Sequence, residues 1–271
     1  MAHTDRLTSS RILIFGGTSG IGFAVANLAL SHSATVLISG SSQPKAAAKA
    51  ALLHSFYPSL PASAISAHAL DLLDTDNLET GLKALLDTAT QHGREKLDHV
   101  VWTAGDALAQ PKLQDVTFDA AVHGYKVRVL APLALAKLLA AHPGVYMPRA
   151  ATSSLTLTGG TNTAKPFPGW TMAAVWGGSV DGLARGLAVD LAPVRVNVVE
   201  PGAIRTELLE GLLGGMGEER AREMERGIGL LGEFGRPEDT AEAYAWLMRD
   251  RFVTGSAVST DGGRLLAGAG I

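Results

Sequence analysis

The chain of 271 residues contains no cysteine. Disulfide scaffolds, cysteine zinc sites and thiol nucleophiles are therefore excluded, and the absence of cysteine fits a reducing compartment. An excess of positive charge is also missing, because 23 basic and 26 acidic residues leave a formal net charge of −3. No apolar run approaches the roughly 20 residues that a membrane span needs, and residues 1–11 lack the apolar centre of a signal peptide. We therefore expect a soluble cytoplasmic protein with neither a nucleic-acid nor a membrane partner.

Metal-ligand spacing is missing as well. The eight histidines contain no H-x-x-x-H pair or comparable pattern. The sequence therefore predicts no catalytic metal.

What the sequence does contain is an alternation of short β-branched runs with longer Ala/Leu-rich stretches of helical period. This alternation is typical of βαβ units, and it predicts an α/β fold with a doubly wound parallel sheet, helices on both faces and a ligand crevice at the carboxyl ends of the strands. The strands are expected at Arg11–Phe15, Thr35–Ser39, Ile65–Leu70, His99–Thr103, Leu155–Thr158, Val194–Val199 and Ala257–Ser259. The helices are expected at Ile21–Leu30, Pro44–Phe56, Asp76–Gln91, Phe118–Ala140, Met172–Leu191 and Pro237–Met248.

No repeat or linker divides the chain, so we predict one domain over residues 1–271. One long segment, Glu207–Phe234, departs from the alternation and follows a strand at its crevice end. We interpret this segment as an inserted substrate lid, although a plain surface helical hairpin would have the same composition.

A glycine-rich turn follows the first predicted strand. Gly16, Gly20 and Gly22 have the spacing G-x-x-x-G-x-G between a strand and a helix. The glycines permit a tight turn, close approach of a pyrophosphate and close packing of the helix on the strand. We expect the amide groups at the helix start, including that of Ile21, to hold the phosphates together with the hydroxyls of two further residues. These are Thr18 and Ser19.

The end of the second predicted strand distinguishes the two nicotinamide dinucleotides. A carboxylate there would bind the ribose 2′-hydroxyl and repel a 2′-phosphate. This sequence has no carboxylate at that place, whereas Ser39, Ser41, Ser42 and Lys45 offer hydroxyls and an ammonium to a phosphate. We therefore predict NADP(H), with an ordinary Ser-rich turn as the alternative.

With these motifs, the chain resembles the short-chain dehydrogenase/reductase superfamily over nearly its whole length. The resemblance implies a Rossmann domain with a seven-stranded parallel sheet, and it marks further cofactor contacts in three segments. Those after the third strand are Asp71 and Leu72, those after the fourth are Thr103, Ala104 and Gly105, and those in the Pro-Gly segment are Pro201, Gly202, Ile204 and Thr206. The segments 236–239, 254–255 and 261–263 resemble C-terminal landmarks of the family.

The residues that usually perform the chemistry in that superfamily are missing. Typical members carry a Ser, a Tyr-x-x-x-Lys pair and an Asn, and the Tyr protonates the carbonyl oxygen as hydride arrives. No Tyr-x-x-x-Lys occurs in this sequence. The resemblance aligns Ala173 with the Tyr, Gly177 with the Lys, Gly159 or Gly160 with the Ser, and Arg128 with the Asn.

The run Pro168-Gly169-Trp170-Thr171 resembles an atypical branch of the superfamily, the fungal reductase and Diels–Alderase enzymes of bridged indole alkaloid biosynthesis. That branch also lacks the Tyr and Lys, keeps an Arg near the Asn position and binds NADP(H). Its members have an Asp just before Pro-Gly-Trp, where this chain has Phe167, so the resemblance does not extend to the same substrate.

Three residues are the candidates for new chemistry. Arg128 lies in an apolar helical stretch, where it would bind a substrate anion, hold the cofactor in place of the lost Lys, or form a buried structural ion pair. Trp170 would stack on the substrate, donate its indole N–H to it, or simply pack. Lys165 would be a displaced acid or a solvated loop charge. His123 and Tyr125 are weaker candidates for a proton donor.

These observations lead to three hypotheses. The first is an NADP(H)-dependent oxidoreductase with a non-standard active site, acting on a bulky small molecule such as an iminium or conjugated intermediate of secondary metabolism. The second is a non-redox cyclase, isomerase or pericyclase in which NADP(H) is structural or absent, and the third is a catalytically dead binding protein. The resemblance also implies a homo-oligomer, either a dimer or a tetramer.

Overall fold

The computed structural model describes residues 4–106 and 111–268. Its strands are β1 (Arg11–Phe15), β2 (Thr35–Gly40), β3 (Ile65–Ala69), β4 (His99–Trp102), β5 (Ser154–Thr158), β6 (Arg195–Pro201) and β7 (Ala257–Thr260). Its helices are α1 (Gly20–Ser31), α2 (Gln43–Phe56), α3 (Leu78–Ala89), α4 (Phe118–Tyr125), α5 (Ala131–Ala141), α6 (Thr171–Asp190), α7 (Glu207–Leu213), α8 (Glu218–Gly227) and α9 (Pro237–Arg249).

The strands form one parallel sheet in the order β3-β2-β1-β4-β5-β6-β7. The chain therefore starts in the middle of the sheet, winds outward to β3, and returns through β4 to the other edge. The point at which the direction of winding changes lies between β1 and β4, which pair from Ile12 and His99 to Phe15 and Trp102. This doubly wound arrangement confirms the predicted fold class, and it places a ligand crevice beyond the carboxyl ends of β1 and β4.

Both faces of the sheet are covered by helices because the central strands are apolar on both sides. One core layer joins the sheet to α3, α5 and α6 through residues such as Leu82, Leu135 and Val180. The other joins it to α1, α2 and α9 through residues such as Val25 and Tyr244. The sheet is thus held rigidly between two layers, which keeps its crevice edge in a defined position.

The helix predicted over Phe118–Ala140 is present but is not uniform. Thr117 caps its start, where its Oγ1 accepts a hydrogen bond of 3.2 Å from the amide of Ala120. Between α4 and α5 the chain makes a wider π-helical turn over Lys126–Leu130. Such turns are frequent at functional sites, and this one carries Arg128.

The segment predicted as a lid contains the two short helices α7 and α8. They enclose a small apolar cluster of Leu209, Leu213, Ile228 and Phe234, and Phe167 from the β5–α6 loop packs against this cluster. The lid remains a prediction, but the segment lies against the loop that contains Trp170. Among the helices of the described residues, none combines the length and apolarity needed to cross a bilayer.

Candidate cofactor site and active site

The glycine turn after β1 is built so that no side chain fits at its key positions. Gly16 and Gly20 have φ angles of +80° and +47°, which favour glycine. A Cβ on Gly16 would lie 2.6 Å from the amide nitrogen of Ala104, and one on Gly22 would lie 2.3 Å from Oγ1 of Thr103. The turn therefore lies directly against the end of β4.

The end of β4 is held against this glycine turn by hydrogen bonds and by the stacking of two aromatic rings. Thr103 donates hydrogen bonds from its amide (2.9 Å) and its hydroxyl (2.8 Å) to the carbonyl of Phe15. The ring of Trp102 stacks on that of Phe15 with the ring centroids 4.2 Å apart. The predicted cofactor residues Thr103 and Ala104 thus lie beside the glycine turn, and Gly105 follows them toward Arg128.

At Gly40, the last residue of β2, the structure leaves no room for a side chain. A Cβ on Gly40 would lie 2.7 Å from Cγ2 of Thr18, which fills the place where such a side chain would begin. Ser41 and Lys45 are exposed just beyond this point. Ser39 differs from them, since it lies inside the sheet at 2% exposure and its carbonyl accepts the amides of Gly16 and Gly17.

Two further predicted cofactor contacts, Asp71 and Thr206, lie at the edge of the proposed crevice. The Oδ1 atom of Asp71 accepts a hydrogen bond of 2.9 Å from the amide of Leu73 and so closes the turn after β3. Thr206 caps α7, where its side chain accepts a hydrogen bond from the amide of Leu209. A Cβ on Gly20 would lie 2.9 Å from Cγ2 of Thr206, so the Pro-Gly segment passes directly over the start of α1.

Arg128 forms a buried ion pair, which is one of the three roles expected for it from the sequence, but its partner Asp106 was not predicted. Its Nη1 pairs with Oδ1 of Asp106, and its Nη2 donates to the carbonyl of the same residue. The Oδ2 atom of Asp106 lies 3.3 Å from Nε2 of His123, and the guanidinium lies 5.5 Å from the ring centre of Trp176. Burial lowers the pKa of Arg128 to about 10. The guanidinium remains charged at neutral pH, next to Gly105 at the crevice.

Where the superfamily pattern would place a Lys, the structure has no space for one. A Cβ on Gly177 would lie 2.0 Å from Oγ1 of Thr163. That hydroxyl is buried and has no hydrogen-bond partner in the described residues. Thr163 therefore occupies the volume beside α6 into which a side chain at position 177 would extend.

Two carboxyl groups lie below Gly159, the residue aligned with the usual Ser. A Cβ on Gly159 would lie 3.6 Å from both Oδ1 of Asp181 and Cγ of Glu200. Burial raises the pKa of Asp181, and burial together with the charge of Asp181 raises the pKa of Glu200. The sequence does not reveal this pair, because Asp181 is on α6 and Glu200 is on β6.

The three predicted catalytic residues do not converge on one point. Trp170 precedes α6 and makes an edge-to-face contact with Phe167, with ring centroids 5.5 Å apart. The Nζ atom of Lys165 donates to the carbonyls of Arg264 and Ala267 in the C-terminal segment. An open, largely apolar cavity of about 650 Å³ adjoins this loop and is lined by Pro166, Phe167, Pro168, Gly169, Thr171, Ala174 and Val175.

The structure also gives the contacts of His123 and Tyr125, the two weaker candidates for a proton donor. His123 approaches Asp106, as described above, whereas the hydroxyl of Tyr125 accepts a hydrogen bond of 3.2 Å from Oγ of Ser179. No group of three or more His, Asp or Glu side chains suited to a metal ion occurs within residues 4–106 and 111–268.

Comparison with known proteins agrees with this geometry. The family model of the SDR-like Rossmann domain matches residues 3–267. The short-chain dehydrogenase/reductase malC of Malbranchea aurantiaca is 40% identical over 262 residues, which are 97% of each chain. The short-chain dehydrogenase/reductase fsr5 of Gibberella fujikuroi is 37% identical over 266 residues, which are 98% of each chain.

Solved structures show the same fold. The structure of the MalC reductase/Diels-Alderase from Malbranchea aurantiaca superimposes with a TM-score of 0.88 and covers 97% of this chain and 98% of its own. A short-chain dehydrogenase from Burkholderia cenocepacia, solved in complex with NADP, superimposes with a TM-score of 0.79 at 24% identity and covers 96% of this chain and 99% of its own.

Proposed function

Because the chain belongs to the short-chain dehydrogenase/reductase family, we propose that it is an NADP(H)-dependent oxidoreductase that acts on a bulky, partly apolar small molecule. The observation that carries this proposal is the glycine turn, in which a Cβ on Gly16 or Gly22 would collide with the end of β4. Because no side chain stands at these glycines, a pyrophosphate can approach the first amides of α1. Bound NADPH would supply a hydride.

The proposed preference for NADP(H) rests on the end of β2. A carboxylate that would bind a free ribose cannot be built on Gly40 without displacing Thr18. The exposed Ser41, Ser42 and Lys45 lie immediately beyond and offer donors to a 2′-phosphate. Asp71 and Leu72 would border the adenine on the β3 side.

The residues at the positions where the family usually carries its catalytic groups favour a substrate that needs no strong proton donor. Reduction of a ketone requires protonation of a developing alkoxide, whereas an iminium carbon gives a neutral amine directly. Ala173 and Gly177 provide no acid, and the described site offers the guanidinium of Arg128 instead. We propose that Arg128 orients or neutralises charge on the substrate, while Trp170 and the Glu207–Phe234 segment shape the pocket and exclude water.

A second function has a specific observation in its favour. The solved relative from Malbranchea aurantiaca is described as both a reductase and a Diels–Alderase. A cyclisation on the present fold would use the same apolar cavity and the same charge at Arg128 without consuming NADPH. We keep this non-redox reaction as the alternative.

One titration separates these proposals. NADPH and NADH are added to the purified protein and binding is followed by nicotinamide fluorescence. Absorbance at the nicotinamide band is then followed with a panel of ketones and preformed iminium compounds. The redox proposal expects tighter binding of NADPH and its oxidation by an iminium compound. Binding without oxidation across the panel favours the cyclase, and binding of neither dinucleotide contradicts the proposed cofactor.

We also propose that the chain forms a dimer or tetramer. Phe118 is 83% exposed and Leu133 is 44% exposed, so α4 and α5 present large apolar side chains at the surface. Sedimentation of the wild-type protein and of a Phe118→Glu variant would test whether this face is buried between copies.

A further inference from the structure

The chain beyond β7 turns back sharply toward the β5–α6 loop. Gly262 and Gly263 have φ angles of +62° and +76°, which favour glycine and reverse the chain direction. The carboxylate of Asp261 fixes this turn, since it accepts hydrogen bonds from the amides of Gly263 (3.0 Å) and Leu265 (3.1 Å). The turn directs the side chain of Arg264 inward.

Arg264 is buried against the β5–α6 loop at 3% exposure. Its Nη1 lies 3.3 Å from the carbonyl oxygen of Thr161, and its Nη2 donates to Oδ1 of Asn162 (3.1 Å) and to the carbonyl of Lys165 (2.6 Å). Its guanidinium carbon lies 4.2 Å from the ring centre of Phe167. One side chain therefore holds the loop at several points.

Lys165 makes the reverse contact, from the β5–α6 loop to the C-terminal segment. Its Nζ donates 2.9 Å to the carbonyl of Arg264 and also donates to the carbonyl of Ala267. Each of the two cations thus binds the backbone of the other's segment. We call this pair, Arg264 and Lys165, the clasp.

The clasp is held by neutral acceptors. Within residues 4–106 and 111–268, no carboxylate lies within 4.0 Å of the charged nitrogens of either residue. Burial lowers the pKa of Arg264. Burying a guanidinium is costly unless its donors are satisfied, and here the cost is offset by carbonyl oxygens and an aromatic face. The planar fork of arginine fixes the direction of several acceptors at once, which an apolar side chain of similar volume would not do.

The segment that the clasp holds connects the two sides of the proposed pocket. The loop carries Phe167 and leads into Trp170, whereas the lid segment is bound to the same turn through a hydrogen bond of 3.1 Å from the amide of Leu231 to the carbonyl of Gly262. Movement of the turn would therefore be transmitted to both the loop and the lid.

We propose that Arg264 and Lys165 are positioning residues, which hold the Thr161–Trp170 loop and the lid segment in register and thereby determine which substrates the pocket accepts. This inference rests on the proposed function for its reference to a substrate. The positioning itself is a property of the protein without cofactor, so it is tested separately.

The first test measures the loop directly. Amide hydrogen exchange is compared between the wild-type protein, Arg264→Gln, Lys165→Met and the control Arg94→Gln, which changes an exposed arginine after α3. We expect exchange in segments 161–170 and 229–231 to rise at least tenfold in Arg264→Gln, to rise less in Lys165→Met and to be unchanged in the control. Unchanged exchange in Arg264→Gln would overturn the proposal.

A spectroscopic signature gives a second readout. The fluorescence of Trp170 is obtained as the difference between each protein and its Trp170→Phe counterpart, and quenching by acrylamide is measured. The proposal expects the quenching constant to about double without the clasp and to be partly restored in Arg264→Lys. If Arg264→Gln does not fold, Arg264→Lys takes its place in both experiments, because it keeps the charge and loses the fork.

Turnover links the clasp to substrate selection. With the panel compound that the wild type oxidises or reduces best, Arg264→Lys should raise KM at least fivefold while the Kd for NADPH stays within twofold. Equal loss in NADPH binding would place the clasp at the cofactor and contradict the proposal. Failure of the wild type to bind NADPH would contradict the proposed function, and the exchange data would still decide the positioning.

Discussion

Arg128 and Asp106 form an ion pair across the end of β4, and their side chains are only 14% and 12% exposed. The pair joins the π-helical turn before α5 to the residue after Gly105, so it closes one side of the proposed crevice. A charge pair in this position can hold the turn in place, and its guanidinium can also meet a substrate. The two roles predict different behaviour of single and double variants.

We expect Arg128→Met to destabilise the protein by about 3 kcal/mol, because it removes the guanidinium from the buried carboxylate of Asp106 and leaves only the half-exposed His123 beside it. The corresponding fall in Tm would be roughly 10 °C. Adding Asp106→Asn should recover most of this loss, since the orphaned charge is then removed as well. Thermal unfolding of the four proteins in the cycle measures the coupling.

Activity of the same double variant distinguishes the two roles. If Arg128 acts on the substrate, the double variant recovers its Tm but keeps at least a tenfold loss in kcat/KM. Full recovery of activity together with stability would show that the pair is purely structural and would remove Arg128 from the proposed mechanism.

The contact between Gly177 and Thr163 predicts an unusual result for a glycine in a helix. Alanine normally stabilises a helix interior by about 1 kcal/mol relative to glycine. A Cβ on Gly177 would lie 2.0 Å from Oγ1 of Thr163, so Gly177→Ala should instead destabilise by about 1–2 kcal/mol through overpacking.

The neighbouring residue is a matched control. The nearest atom to a Cβ on Gly178 would be 3.9 Å away, so Gly178→Ala should be neutral or stabilising. Thr163→Ala removes the crowding hydroxyl, and Gly177→Ala in that background should recover its stability. Denaturant unfolding of these variants would contradict this reading of the site if Gly177→Ala and Gly178→Ala behaved alike.

The end of β2 predicts the dinucleotide preference. Ser41→Asp places a carboxylate beside the proposed 2′-phosphate position, and repulsion should weaken NADPH binding at least tenfold, which is about 1.4 kcal/mol. Binding of NADH should change less or improve. Ser41→Asn has similar size and no charge, and serves as the control in fluorescence titrations of both dinucleotides. Equal losses for NADPH and NADH in Ser41→Asp would contradict the predicted 2′-phosphate site.

The positions of most strands and helices can be predicted from the sequence, because they depend on neighbouring residues. The strand Arg11–Phe15 is predicted at the observed bounds, because an apolar β-branched run followed by glycines has few other interpretations. The Phe118–Ala140 stretch is predicted as one helix, and its π-helical turn is missed because hydrophobic periodicity does not report a single extra residue in a turn.

Long-range partners are what the sequence does not reveal. Asp106 follows Gly105 directly, so a carboxylate at a strand end was a visible signal, but its pairing with Arg128 depends on how α4 and α5 dock. The link between Lys165 and Arg264 joins positions 99 residues apart and has no local signature. Fold class therefore follows from local patterns, whereas the contacts of the candidate site depend on packing.

The paired carboxyl groups of Asp181 and Glu200 predict how stability depends on pH. Burial raises both pKa values above their ordinary values of 3.8 and 4.5. The groups that face the pair are Arg185, whose charge lowers the pKa of Asp181, and Asp261, whose charge raises that of Glu200. Ser259 contributes a hydrogen bond of 3.4 Å to Glu200.

A raised pKa means that the folded protein holds its proton at a pH where the unfolded chain has released it. The pair's contribution to stability is therefore present in full below about pH 4 and is lost as pH rises through the raised pKa values. Above that range, the buried negative charges oppose folding.

Glu200→Gln removes one of these charges and keeps the shape of the side chain. We expect the variant to be more stable than the wild type at pH 7 and to lose this advantage as pH falls to 4. A gain of about 1 kcal/mol would raise Tm by roughly 2–4 °C for a chain of this length. Glu233→Gln is the control, because Glu233 is exposed on the lid segment. Thermal unfolding of the cofactor-free proteins between pH 4 and pH 8 measures the difference. If the advantage of Glu200→Gln did not grow with pH, the pKa of Glu200 would not be raised in the folded protein, and the proposed destabilisation by its buried charge would be wrong.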